Sequence, residues 1–175
     1  MEDVLAFWFA DEARWWKKDP AFDAEVTARF GELHAAVARG DHEDWRTTPR
    51  GALAYVIALD QFPRNMFRGT PRAFATDEQA RRAAVTAIDA GFDAQLTPDE
   101  RAFLYMPLMH SESVDDQHRC VALFTKNGPE RNVDFAVKHR DIVVRFGRFP
   151  HRNEILGRES TPEETEFLKQ PGSSF

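Results

Sequence analysis

The stretch Asp60-Gln61-Phe62-Pro63-Arg64-Asn65-Met66-Phe67-Arg68-Gly69-Thr70 decides how this chain is read. It predicts a helix stopped by Pro63, a polar elbow carrying Arg64-Asn65, and a Gly69 turn leading through Thr70-Pro71 towards the next helix. An altered copy returns as Phe149-Pro150-His151-Arg152-Asn153-Glu154-Ile155-Leu156-Gly157-Arg158-Glu159-Ser160-Thr161, again with a proline, an Arg-Asn pair and a Gly before Thr-Pro. Two matching corners predict helices joined by short turns, with one polar site assembled from distant parts of the chain.

The segments around these corners are helical in pattern. Asp3 is placed to cap a short first helix carrying Val4, Leu5, Phe7, Trp8 and Phe9, and with Trp15-Trp16 these aromatics suit a hydrophobic lid on the bundle end. Asp19-Pro20 opens a second helix in which Phe22, Val26, Phe30, Leu33 and Val37 recur at helical spacing. Thr48-Pro49 opens a third, apolar around most of its circumference, so an inner helix is expected. Asp60 falls within its apolar sector and needs a partner there, with Arg140 or Arg152 the expected counter-charges. Thr76-Asp77-Glu78-Gln79 and Thr97-Pro98-Asp99-Glu100 read as capping boxes. The second leads into an uncharged inner helix from Ala102 to Met109, kinked by Pro107 and followed by a polar corner, His110-Ser111-Glu112-Ser113.

Beyond Gly128-Pro129, Phe135, Ile142 and Phe146 form one apolar stripe and Val133, Val137 and Val144 another, which predicts a buried helix with His139 and Arg140 inside it. Pro150 is expected to stop that helical run, and Thr161-Pro162-Glu163-Glu164 to cap a last one. With no period-2 alternation, the expected architecture is all-α: a stack of antiparallel helical hairpins forming a single domain over residues 1–175.

Composition narrows the functional classes. Apolar residues make up 42 % of the 175, including 15 Phe and 4 Trp, which excludes a disordered chain. Apolar runs such as Leu53 to Leu59 are far short of the roughly 20 residues that span a bilayer, so no membrane contact is expected. One cysteine, Cys120, leaves no internal disulfide, and no N-terminal stretch has signal-peptide form, so a reducing cytoplasm is the expected location. A net charge of −6 argues against nucleic acid as a partner. Arginine nevertheless outnumbers lysine 18 to 5, and guanidinium suits fixed ion pairs or the recognition of carboxylate and phosphate.

Long motifs at Leu59-Asp60-Gln61-Phe62-Pro63-Arg64-Asn65, Met109-His110-Ser111-Glu112, His139-Arg140-Asp141-Ile142 and Arg145-Phe146-Gly147-Arg148-Phe149-Pro150-His151-Arg152-Asn153 carry a family resemblance. The chain resembles the mainly bacterial domain of unknown function 924 over nearly its whole length. That resemblance implies a helical fold similar to tetratricopeptide-like stacks and no established activity. No 34-residue tetratricopeptide consensus is present, so the implied likeness is architectural.

The candidate site comprises Asp60, Gln61, Arg64, Asn65, His110, Glu112, His139, Arg140, Arg148, His151, Arg152 and Asn153. Guanidinium and amide donors together suit an anionic small molecule or a partner's acidic end. A second reading is a hydrolase with His110 or His139 as base, oriented by Asp60 or Glu112, and with Ser111 as a conceivable nucleophile or, more simply, a helix cap. A third is an interaction scaffold without chemistry. The donors His110, Glu112, His139 and His151 suit a divalent ion, but there is no His-Glu-x-x-His or cysteine cluster, and no metal is assigned. Without a phosphate-binding Gly-rich loop or dinucleotide fingerprint, no nucleotide cofactor is expected either.

Overall fold

The computed structural model describes residues 1–174, which form eight α-helices and five short 3-10 turns, with no strand among the described residues. The α-helices are α1 (Glu2–Trp8), α2 (Pro20–Ala38), α3 (Pro49–Met66), α4 (Asp77–Asp89), α5 (Pro98–Met109), α6 (Val114–Asn127), α7 (Glu130–Phe146) and α8 (Pro162–Leu168). None of them is long and apolar enough to cross a membrane.

Helix α3 is the axis of the fold, and every residue from Gly51 to Pro63 is buried. Helices α1, α2, α4 and α5 pack on it, and each helix from α2 to α6 also packs on the next in the chain. Hydrogen bonds give the direction of two pairs. Asp23, early in α2, meets Asn65 at the end of α3, and Arg101, early in α5, meets the Asn127 carbonyl at the end of α6, so both pairs run antiparallel. The start of α3 lies tight against the preceding turn, where a Cβ on Gly51 would overlap the Trp45 carbonyl oxygen. That close approach requires glycine.

The N-terminal signals at Asp19, Thr48, Thr97, Ser113 and Thr161 all act as caps, and Thr97 and Thr161 form complete capping boxes. Asp3 does not cap α1, which begins at Glu2 with Met1 at the N-cap. Thr76 also departs from expectation, and Pro63 supplies the reason. The helix is not stopped at Pro63 but continues to Met66. Lacking an N–H, Pro63 cannot satisfy the carbonyl of Leu59. The Thr76 hydroxyl donates to that carbonyl instead, at 2.6 Å, rather than capping α4. One missing donor therefore docks the start of α4 against the end of α3.

The second corner is also stopped differently. Helix α7 ends at Phe146 with Gly147 in the left-handed region at φ 71°, three residues before Pro150, which opens a 3-10 turn. Nor is α7 interior. Asn132, Ala136, His139, Ile142 and Val143 make its buried face, whereas Phe135 and Val144 are 52 % and 54 % exposed. Phe135 from the first apolar stripe and Val144 from the second lie open, while Val133 packs on the main core, because among the described residues only α5 and α6 pack on this helix to an appreciable extent. The main core, built from α1 to α6, includes Ala136, while Ile142, Val143 and Phe149 form a separate small cluster with Phe146 and Phe167.

Candidate functional site

Asp60 is fully buried in α3. Its carboxylate takes the Nδ1–H of His110 at 2.8 Å, lies 3.2 Å from Arg64 and accepts from the amide of Gln61. The partners expected from sequence, Arg140 and Arg152, are replaced by these nearer groups. Burial pushes the Asp60 pKa up, but Arg64 and then His110 outweigh it and hold the group at about 2. An ionised carboxylate accepts only, so His110 carries its proton on Nδ1 and presents Nε2 as a lone pair.

Helix α3 places Arg64 one turn beyond Asp60. Docking of α4 through Thr76 brings Asp77 to the Arg64 guanidinium, which donates to both carboxylate oxygens at 2.8 and 3.0 Å. Arg152, from the second corner, reaches the same carboxylate at 3.4 Å. The two corners therefore meet through Asp77. Between them Arg152 is sandwiched by Phe74 and Phe149, each ring centroid 4.7 Å from the guanidinium carbon. It is only 7 % exposed, and its Nε is buried without a hydrogen-bond partner among the described residues. Burial and the nearby Arg64 lower its pKa to about 10.

Three imidazoles line this corner. His110 and His139 have ring centroids 6.5 Å apart, His139 stacks edge-on to Phe149 at 5.6 Å, and His151 lies 5.5 Å from the same Phe149 ring. His139 donates Nδ1–H to the Phe135 carbonyl at 2.7 Å, which fixes its tautomer. Burial lowers all three pKa values, with His139 brought down to about 3 and His151 to about 4. Near neutral pH the imidazoles are uncharged.

Glu112 clamps the second corner from outside. It accepts both terminal nitrogens of Arg158, at 2.7 and 2.9 Å, and the backbone N–H of Phe149 at 2.8 Å. Burial opposes its ionisation, and these donors more than compensate, so its pKa is lowered.

Seven expected residues thus share one neighbourhood: Asp60, Gln61, Arg64, His110, His139, His151 and Arg152. Glu112 borders it. The other four point elsewhere. Asn65 donates to Asp23 on α2, and Arg140 pairs with Asp141 on the surface of α7. Arg148 forms a bidentate pair with Glu164, and the Asn153 amide donates to Ser160 and Glu164, so these two hold α8 in place. Three participants escaped sequence reasoning. Asp77 was absorbed into a supposed capping box, and Arg158 and Phe149 lay within the second corner without an assigned role. Ser111 donates to Asp116 at 2.6 Å and accepts the Ser113 N–H at 3.1 Å, which ties it into the start of α6. Cys120 is fully buried, and burial raises its thiol pKa, so it is not a nucleophile. Among the described residues no three His, Cys, Asp or Glu side chains are grouped to hold a metal ion.

No curated protein matches the chain. A solved structure described as a protein of unknown function, ATU0120 from Agrobacterium tumefaciens, is similar at 44 % identity, with 96 % of each chain covered and a TM-score of 0.92. The profile of a family described as a bacterial protein of unknown function (DUF924) matches residues 4–172. The motifs that meet at this corner and the helices that carry them lie within that span, and the chain belongs to the DUF924 family.

Proposed function

We propose that the protein binds a small molecule bearing a carboxylate or phosphate group at the corner shared by Arg152, His110, His139 and His151. The state of Arg152 carries this reading. Arg64, Arg158 and Arg148 each have a bidentate carboxylate partner. Among the described residues Arg152 has one hydrogen bond, at 3.4 Å to an oxygen that Arg64 already holds at 3.0 Å, and its Nε has no partner. A buried guanidinium is costly unless its charge and its donors are matched, and an incoming oxyanion supplies both. The two flanking phenyl rings fix the plane in which such an anion is met.

The test is a thermal-shift and calorimetric titration with inorganic phosphate, succinate and citrate, using chloride at matched ionic strength as the control. A ligand present at about 100 times its Kd stabilises the folded state by roughly 2.7 kcal/mol. For a chain of this size that is a rise of several degrees. Arg152→Met should fold and show no rise. Equal responses to chloride and to the three oxyanions would remove the reading.

A further inference from the structure

We infer that this corner is hydrolytic, with His110 Nε2 as the general base that activates water against an ester whose free carboxylate is held by Arg152. The inference rests on the anion-binding reading above and adds a reaction to it. Its basis is the way His110 is held. Asp60, with no exposed surface, takes the Nδ1–H at 2.8 Å, and Arg64 and Gln61 immobilise that carboxylate in turn. A buried carboxylate that fixes one imidazole nitrogen orients the other and stabilises the imidazolium formed when it takes a proton.

The His110 side chain retains 17 % of its exposure, unlike Asp60 beneath it, so the ring can be reached from outside. It caps the C-terminus of α5 and faces the His139 ring, which lies against Phe149, the same ring that covers one side of Arg152. Base and anion anchor therefore border one neighbourhood. The nucleophile must come from solution. Ser111, the nearest hydroxyl in sequence, already donates to Asp116, and Cys120 is fully enclosed.

In the reaction, the oxygen of water attacks the acyl carbon while Nε2 takes one of its protons and the carbonyl π pair moves onto oxygen. As that pair returns, the acyl–oxygen bond breaks, and Nε2 passes its proton to the departing alkoxide. The products are a carboxylic acid and an alcohol, with no change of oxidation state.

The full-length protein is assayed with mono(4-nitrophenyl) succinate and, as the neutral counterpart, 4-nitrophenyl acetate. Steady turnover is expected for the anionic ester, with kcat/KM about 100-fold above that for the acetate. Each of His110→Gln and His110→Asn should lower kcat by about 100-fold or more, with the thermal shift given by succinate measured alongside. Arg152→Met should raise KM and abolish that shift. Asp60→Asn tests positioning, and a fall in kcat at unchanged KM is expected from any fraction that folds. A wild-type protein that responds to succinate but does not turn over the anionic ester overturns the hydrolytic inference and leaves binding intact. Turnover undiminished in both His110 variants overturns the role of His110, and equal rates on the two esters overturn the substrate class. Absence of both the succinate shift and turnover overturns the binding reading and this one together.

Discussion

Asp60 is the charge on which the corner depends. Removing it leaves the His110 Nδ1–H without its acceptor and leaves Arg64 and Arg152 to share the single carboxylate of Asp77, so Asp60→Ala is expected to cost about 3–5 kcal/mol, measured by urea denaturation. A loss below about 0.5 kcal/mol, the range of a surface change, would contradict its placement. Protons should act on the same region. His34, His110, His139 and His151 all have pKa values lowered by burial from 6.5, with Arg64 adding to the effect at His110 and Asp60 partly opposing it. Below pH 6.5 the unfolded chain therefore binds more protons than the folded one. Stability is complete above that pH and falls on acidification, with each histidine adding up to roughly 1.4 kcal/mol per pH unit until its folded pKa is reached. Urea midpoints at pH 7.5, 6.0 and 5.0 should decline accordingly, and His139→Asn should flatten the slope by nearly one proton. The need for a partner at Asp60 is legible in sequence, because helical periodicity puts it in an apolar sector. The partner's identity is not. It is set by how α3, α4 and α5 dock, and a wheel drawn for one helix contains no neighbour.

At the scale of the element, Pro63 shows how one covalent feature propagates. Proline was expected to end α3, yet the helix passes through it because the Thr76 hydroxyl takes the carbonyl that Pro63 leaves unsatisfied. Thr76→Val removes the donor at nearly constant shape and should cost about 1 kcal/mol, rising towards 3 if the Leu59 carbonyl stays dry. Thr76→Ser should restore most of the loss in a denaturation series. The inner character of α3 and α5 was readable because each lacks charge over a long stretch and is surrounded on most sides. Helix α7 misled for the converse reason. Two apolar stripes describe what a helix is able to bury, whereas Phe135 and Val144 remain open because no neighbouring element covers them. Its end at Gly147 follows from backbone freedom. At φ 71° a Cβ is strained, and Gly147→Ala should destabilise by about 1 kcal/mol.

For the molecule as a whole, the decisive contrast is between the large core around α3 and the segment after Gly147. The first is held by a continuous apolar cluster, the second by a small cluster of Ile142, Val143 and Phe149 and by the polar bonds of Glu112, Arg158, Arg148 and Glu164. Apolar burial in the larger unit resists opening more than these two partly buried ion pairs do, since desolvation offsets much of the attraction in such pairs. The C-terminal segment should therefore open below the global unfolding free energy. Native-state hydrogen exchange followed by NMR tests this at the amides of Arg152, Asn153, Leu156 and Arg158, all bonded within the second corner. Their opening free energy is expected to lie below that of the α3 amides. Glu112→Gln weakens the pair with Arg158 and should lower it further while leaving α3 unchanged. Succinate or phosphate held by Arg152 would act in the opposite direction, raising protection at the corner first. If the corner and α3 instead exchange with one common free energy, and Glu112→Gln shifts both alike, the segment folds and unfolds as an inseparable part of the core.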